Sequence, residues 1–280
     1  MLRMSNLDSG TVSAFDDKWG ASYPGIANPE RARQNFEAYF SMFPFEELGE
    51  AEGFELGCGG GRHAALIAPR VGRLHCIDPT PNGIANARRI MAGQANVEFH
   101  LAGVDDIPLG DGTQDFGYSM GVLHHIPDTR AALASCTSKL KAGAPFLLYL
   151  YYDFENRPLW FRALWKLSDY ARRLISKLPF RLRKMVCDLI AVTVYWPMAR
   201  AAGLAARIGL KVESLPLSSY SNARLVNMRL AALDRFGTGL EQRFSRAAIR
   251  AMMDQCGLAQ IRIADGPPYW VALGRKRAAG

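Results

Sequence analysis

Four glycines fall within five positions of the stretch FELGCGGGRHAALIAPRVGRLHCIDPTP, residues 54–81. An apolar run precedes them and a helical pattern follows. Glycines at a strand-to-helix turn let a ligand approach the main chain, and the amides opening the helix favour an anion or a polar group. The spacing Gly57-x-Gly59-x-Gly61 departs from the dinucleotide fingerprint G-x-G-x-x-G, because Arg62 stands where its third glycine belongs. Asp78 closes a second apolar run, 21 residues beyond Gly57. A carboxylate there accepts hydrogen bonds from the vicinal hydroxyls of a ribose. Together the loop and the acid ask for a ribose with a small polar tail and no phosphates. The plainer alternatives are a tight turn for the glycines and a helix cap for Asp78. Further on, His124 and His125 stand in tandem after another apolar run. Imidazole titrates near neutrality and can take a proton from an attacking hydroxyl; the competing reading is loop residues that pack or cap the helix near 129. No third ligand at metal spacing accompanies them, so no metal ligand is assigned.

Short apolar runs at 52–56, 73–77, 97–101, 115–120 and 144–152 read as strands. Helical periods at 61–68, 82–92 and 129–140 lie between them. That alternation predicts a parallel sheet with helical crossovers. A further helix is expected around 29–43. Near the end, SRAAIRAMMDQCGL (245–258) has a Ser start and a Gly stop, and two strands follow. In between, residues 157–178 form an amphipathic helix. Trp160, Leu164, Leu167, Ala171, Leu174, Ile175 and Leu178 share one face, and Arg162, Lys166, Asp169, Arg173 and Lys177 share the other. This divides the chain into a lead-in at 1–50, a core at 51–153 plus 245–280, and a helical insertion at 154–244.

The net charge of +8 is concentrated. Residues 154–214 hold twelve Lys/Arg against four Asp/Glu, and the rest of the chain is balanced. The insertion is therefore a separate basic unit, either a helical layer whose basic face is simply solvated, or a surface suited to an anionic substrate or an anionic lipid face. Nucleic acid is not expected as a partner, since no nucleic-acid-binding module motif is present and the charge is helical. Five dispersed cysteines point to reduced thiols. The N-terminus lacks an apolar signal region, and the longest apolar stretch, 189–199, is too short to span a bilayer. The expected location is cytoplasmic, either free or in peripheral contact with the inner face of a membrane.

Glu55-Leu56-Gly57-Cys58-Gly59-Gly60-Gly61, Asp78 in CIDPTP, residues 105–128 and LKAGAPFLLY as a set resemble the class I S-adenosylmethionine-dependent methyltransferases. The resemblance covers about 50–152 and 245–276. It implies an α/β, Rossmann-like seven-stranded sheet, mostly parallel with one antiparallel strand, helices on both faces and a helical cap. It implies S-adenosyl-L-methionine as cofactor, with Gly57, Gly59, Gly61, Met120 and Gly121 against its methionine part and Glu55 near the ammonium group. Asp78 would hold the ribose. Gly103 stands where the family often has an acid, followed by Val104, so adenine is held either by Asp105 or by backbone and apolar contacts. Trp19 and Tyr23 would fold over the cofactor, and Tyr151 and Tyr152 would line the substrate pocket. The expected activity is methyl transfer to a small or lipid-like molecule at oxygen, with nitrogen or carbon as alternatives. A non-catalytic cofactor-binding module is the rival class; Arg62 disfavours a nicotinamide dehydrogenase.

Overall fold

The computed structural model describes residues 5–20, 29–210, 212 and 215–278. The chain forms two compact units, one of residues 1–153 and 240–280 and the other of residues 154–239. Residues 240–244, which the sequence pattern places in the insertion, fall in the first unit.

The first unit opens with α1 (Ser9–Gly20) and α2 (Pro29–Tyr39). Then follow β1 (Glu52–Leu56), α3 (Ala64–Ile67), β2 (Arg73–Asp78), α4 (Pro81–Ile90), β3 (Val97–Leu101), β4 (Phe116–Met120), α5 (Thr129–Ser138) and β5 (Pro145–Tyr149). With β6 (Leu258–Ile263) and β7 (Val271–Lys276) near the end of the chain, the seven strands lie in the order β3-β2-β1-β4-β5-β7-β6. The first five are parallel, and β7 runs antiparallel to both β5 and β6. One apolar layer joins Phe54, Leu56, Ile77, Leu133 and Phe146 to Ile249 and Met253 of α10 (Arg246–Gln255). The other joins Phe36 of α2 and Phe40, just past its end, to Leu74, Cys76, Tyr118 and Ala87. Side chains alternate across each strand, so a strand covered on both sides is buried throughout; β4 is buried at every position, and its Ser119 and Tyr118 hydroxyls donate to the Leu56 carbonyl and to Glu55.

Three expectations need adjusting. The lead-in is less polar than its composition suggests: Phe36, Phe40 and Phe43 are buried, and α1 is a helix that the pattern did not announce. The helix expected at 61–68 is short, because Pro69 turns the chain into a 3₁₀ segment at Ala68–Arg70. The fifth strand stops at Tyr149, where its pairing with β7 ends opposite Val271; beyond it, Tyr152 makes only an isolated bridge to Phe244.

The second unit contains α6 (Leu159–Ile175), α7 (Phe180–Ile190), a π-helical turn at Ala191–Tyr195, α8 (Trp196–Arg207) and α9 (Leu225–Gly237). From Phe180 to Arg207 the helix is continuous over 28 residues, with mean hydropathy 1.3 in its most apolar window. It is long and apolar enough to cross a membrane by length and composition, so the short run at 189–199 understated it. One of its sides, formed by Cys187, Ala191, Tyr195 and Ala199, packs with Met228, Ala232, Leu233 and Phe236 of α9. On α6 the most buried residues are Asp169 and Arg172. Asp169 accepts from Arg172 Nε at 2.8 Å and Arg173 Nε at 3.0 Å, while Arg172 also donates to the carbonyls of Thr238 and Gly239 at 2.8 and 2.7 Å. Burial alone would push Asp169 up, yet the three arginines 172, 173 and 235 hold it below the usual carboxylate range. Breaking a buried pair leaves an uncompensated charge and costs about 3–5 kcal/mol. Asp169→Asn is therefore expected to weaken the helical unit by about that amount. The check is urea denaturation followed by far-UV dichroism, with proteolytic nicking inside residues 154–239 at lower urea than in the parent.

Candidate functional site

The site forms where β1, β2 and β4 end at their carboxyl edge. Gly57 N and Cys58 N donate to the Ile77 carbonyl, at 2.7 and 3.2 Å, so the loop leaves β1 still tied to β2. Gly57 and Gly59 have φ of +80° and +49°, a left-handed backbone that side chains resist. Space closes the same positions: a Cβ on Gly57 would lie 2.3 Å from Val122, and one on Gly59 2.5 Å from the Trp19 indole. The buried Asp78 carboxylate accepts from Gly59 N at 2.7 Å through one oxygen. Its other oxygen accepts from Thr80 N at 2.9 Å and from the Thr80 hydroxyl. Burial pushes the Asp78 pKa up, the bonds from Thr80 and Gly59 oppose this, and the Glu55 charge adds to the rise. Glu55, buried in β1, accepts from the Tyr118 hydroxyl at 3.1 Å, with His63 Nδ1 3.8 Å away.

The N-terminal segment lies over this edge. Asp16 of α1 accepts from Asn82 N at 2.8 Å, and the Trp19 carbonyl accepts from Asn86 at 2.9 Å, which docks α1 on α4. The Trp19 ring thereby rests on Gly59 and Gly83, with the Lys18 ammonium 4.8 Å from its centre. Tyr23 lies outside the described residues. Asp105 accepts from Asn6 N at 2.7 Å and Ser5 Oγ at 3.1 Å, so it anchors the N-terminal segment. Val104 is buried beside it, and Leu7 sits 2.5 Å from where a Gly103 Cβ would be. Sequence reasoning did not find Leu7 or Thr80; the signal for Thr80 was its place two residues after Asp78, where a hydroxyl and amide reach back to a carboxylate.

At the end of β4, Met120 is buried and Gly121 (φ +74°) donates its N–H to the Tyr149 carbonyl at 3.0 Å. The two histidines follow in a 3₁₀ turn. His124 is fully buried, stacks on Tyr151 with ring centres 3.8 Å apart, and neither ring nitrogen has a hydrogen-bond partner among the described residues. Burial first, then the charges of His125 and Arg243, holds its pKa well below the usual imidazole range. His125 Nδ1 lies 2.7 Å from the Leu240 carbonyl, so Nδ1 carries the proton and donates. The Phe15 ring meets its edge at 5.1 Å. Gln242 N donates to the His124 carbonyl at 2.9 Å, so residues 240–244 brace the pair from behind. Tyr151 and Tyr152 part company: Tyr151 joins the histidines, while Tyr152 packs toward Tyr269 and Trp270, with ring centres 5.2 and 6.0 Å away.

Away from the loop, His75, Glu98 and His100 bring three potential ligand atoms within 4.8 Å of one another. No metal ligand was assigned from the sequence. These donors engage one another: His75 Nε2 meets Glu52 at 3.0 Å and Nδ1 meets His100 Nε2 at 3.0 Å.

Residues 54–148 match the family model of a methyltransferase domain. A ubiquinone biosynthesis O-methyltransferase of Xanthomonas euvesicatoria is 28% identical over 133 residues, which are 47% of this chain and 54% of that protein. The chain thus spans about half the length of the curated relatives it matches first. A SAM-dependent methyltransferase of Thermotoga maritima superposes with a TM-score of 0.51 at 14% identity, covering 95% of this chain and 100% of the other. An O-methyltransferase family protein of Burkholderia thailandensis gives 0.53 at 12% identity, covering 89% and 57%. Residues 54–148 are thus a methyltransferase domain, for which the cofactor is S-adenosylmethionine, and the sheet around them has the fold of the Thermotoga protein. The glycine cradle and buried Asp78 suit that cofactor, which carries a ribose and no phosphate.

A histidine kept neutral by folding binds fewer protons than its unfolded form below the ordinary pKa of about 6.5. Its stabilising contribution is complete above that pH and is lost as pH falls through it. His124→Phe keeps a ring on Tyr151 and removes the titration. Below pH about 6.5 its unfolding free energy should therefore fall less steeply than the parent's, by up to about 1.4 kcal/mol per pH unit. Urea melts at stepped pH values measure the two slopes, and equal slopes would contradict a buried neutral His124.

Proposed function

We propose that this chain transfers a methyl group from S-adenosylmethionine to an oxygen of a small, lipid-like molecule. The observation that carries the reading is the Asp78 carboxylate joined to Gly59 N–H at 2.7 Å, at the carboxyl edge of β1 and β2. When bound, the cofactor supplies an already activated methyl group. In this reading Gly57, Gly59 and Gly61 give its methionine part close access to backbone, with Glu55 below as the counter-charge to an ammonium group. Asp78 accepts from the ribose hydroxyls through lone pairs not used by Gly59 and Thr80. Met120 and Gly121 border the methionine part, and Val104 and Leu7 offer apolar contact to adenine. Trp19 shields the loop from water, and its face suits a sulfonium charge.

Oxygen as acceptor is supported by the histidines and by the name of the Xanthomonas relative. Two buried nitrogens on His124 without a partner among the described residues are costly, about 1–3 kcal/mol for an unsatisfied group. An acceptor hydroxyl reaching that ring would relieve the cost. As a neutral imidazole His124 can accept the hydroxyl proton, while His125, fixed by Leu240, holds its neighbour in place. Tyr151 orients the ring by stacking. Most of the rate would come from alignment of acceptor and methyl group.

Two measurements test this. Asp78→Ala should weaken binding of S-adenosylhomocysteine by about 1.5–3 kcal/mol, roughly 10- to 150-fold, by calorimetry; unchanged affinity in a folded variant removes the ribose assignment. Alanine at His124 or His125 should lower turnover by about 10²–10⁴-fold with little change in cofactor affinity. Near-normal turnover in both variants would make the pair structural.

A further inference from the structure

We propose that the helical unit of residues 154–239 docks on an anionic lipid bilayer, with α6 and the continuous α7–α8 helix lying in the plane of the interface. The starting point is an inversion. On α6 the side turned toward α9 carries Trp165, Ser168, Asp169, Arg172 and Ile175, buried or half-buried. The opposite side exposes Leu159, Trp160, Leu164, Leu167, Tyr170 and Leu174, with Leu167 68% accessible. An isolated helix in water would be expected to turn the leucines in and the ion pair out. Here the Asp169–Arg172 pair and the Thr238 and Gly239 carbonyls hold the helix in the reverse sense.

The long helix repeats the pattern. Cys187, Ala191, Tyr195 and Ala199 are buried, while Leu182, Met185, Leu189, Val192 and Trp196 form an exposed stripe with the same helical spacing. Both stripes lie within one unit, and such concentration of exposed apolar side chains marks an interaction surface.

Charge selects the occupant. Around the α6 stripe, Arg162, Lys166, Arg173 and Lys177 occupy one flank and are exposed. The entire excess positive charge of the chain falls in residues 154–214. An apolar stripe bordered by Lys and Arg, with tryptophan at its margin, is the composition of a helix seated at the headgroup boundary of anionic lipid. A spanning role for the 28-residue helix is disfavoured, because its inner side is packed on α9 through small residues and retains Arg183. Each Lys or Arg near an anionic surface adds to the attraction, and salt screens it. The docking reading stands apart from the methyl-transfer reading, since it concerns no residue of the glycine loop.

The experiment is co-sedimentation of the full chain with vesicles of phosphatidylcholine alone, and of phosphatidylcholine with phosphatidylglycerol at about 3:1. The expected result is binding only to the mixed vesicles, falling at least tenfold in about 0.5 M NaCl. Arg162→Glu/Lys166→Glu/Lys177→Glu should abolish it, and Leu167→Glu/Leu174→Glu should reduce it at least tenfold. Both variants should melt at the parent's temperature, because every replaced side chain is exposed. Absence of parent binding to mixed vesicles overturns the proposal, and equal binding to both vesicle types overturns the role of charge. A concentration-dependent dimer in sedimentation velocity that Leu167→Glu/Leu174→Glu dissolves would assign the stripe to a second copy instead. Calorimetry with S-adenosylhomocysteine on the same variants should give the parent's affinity, so failure of docking and failure of cofactor binding are read separately.

Discussion

The bond from Gly59 N–H to the Asp78 carboxylate joins the two features on which the sheet edge depends. Parallel pairing brings β1 and β2 to a common end, and the chain must then turn away from both. Without a partner the turn would leave amides and a carboxylate buried and unsatisfied. With it, the loop is held in the left-handed conformation that only glycine tolerates cheaply, and the carboxylate is spared isolation. Thr80 completes the arrangement from the start of α4. The charge stays expensive all the same, as its raised pKa shows. A buried acid with capacity to accept more hydrogen bonds is a demand for a donor.

The N-terminal helix answers a second constraint. A concave edge lined by glycine exposes backbone, and backbone exposed to water competes with any ligand. Trp19 covers the loop at Gly59, held there with the help of contacts made at Asp16 and Asn86. Asp105, by receiving Ser5 and Asn6, makes the lead-in part of the same enclosure. On the other side of the edge, His124 stacks on Tyr151, and the two His124 ring nitrogens have no hydrogen-bond partner among the described residues.

The sheet was legible because its information is local. Short apolar runs, turn glycines and helical periods each declare an element, and right-handed crossovers leave few ways to assemble them. The glycine loop and Asp78 were legible through their spacing. The helical face of α1 was not: its residues are mostly polar and become ordered through Asn82 and Asn86, far along the chain. Nor could pattern reveal that Tyr151 and Tyr152 diverge, since strand pairing stops at Tyr149 and alternation no longer governs the residues beyond it. The orientation of α6 was equally hidden. Periodicity locates an apolar face but not what that face meets, and a buried Asp169–Arg172 pair outweighed the leucines in setting the inward side.

The chain leaves the sheet unit after Asp153 and rejoins it at Leu240. There the two ends are stitched by the unit's own backbone: Phe244 N donates to Tyr151 at 2.9 Å, and Asp153 N to Phe244 at 3.2 Å. The points of departure and return are therefore fixed from within, whatever the excursion contains. The entropic penalty of a closed loop grows only slowly with its length. Such a gap tolerates exchange: the intervening segment can be lengthened, shortened or replaced in evolution without reopening the scaffold. The sheet-edge site and the intervening segment can then diversify at different speeds.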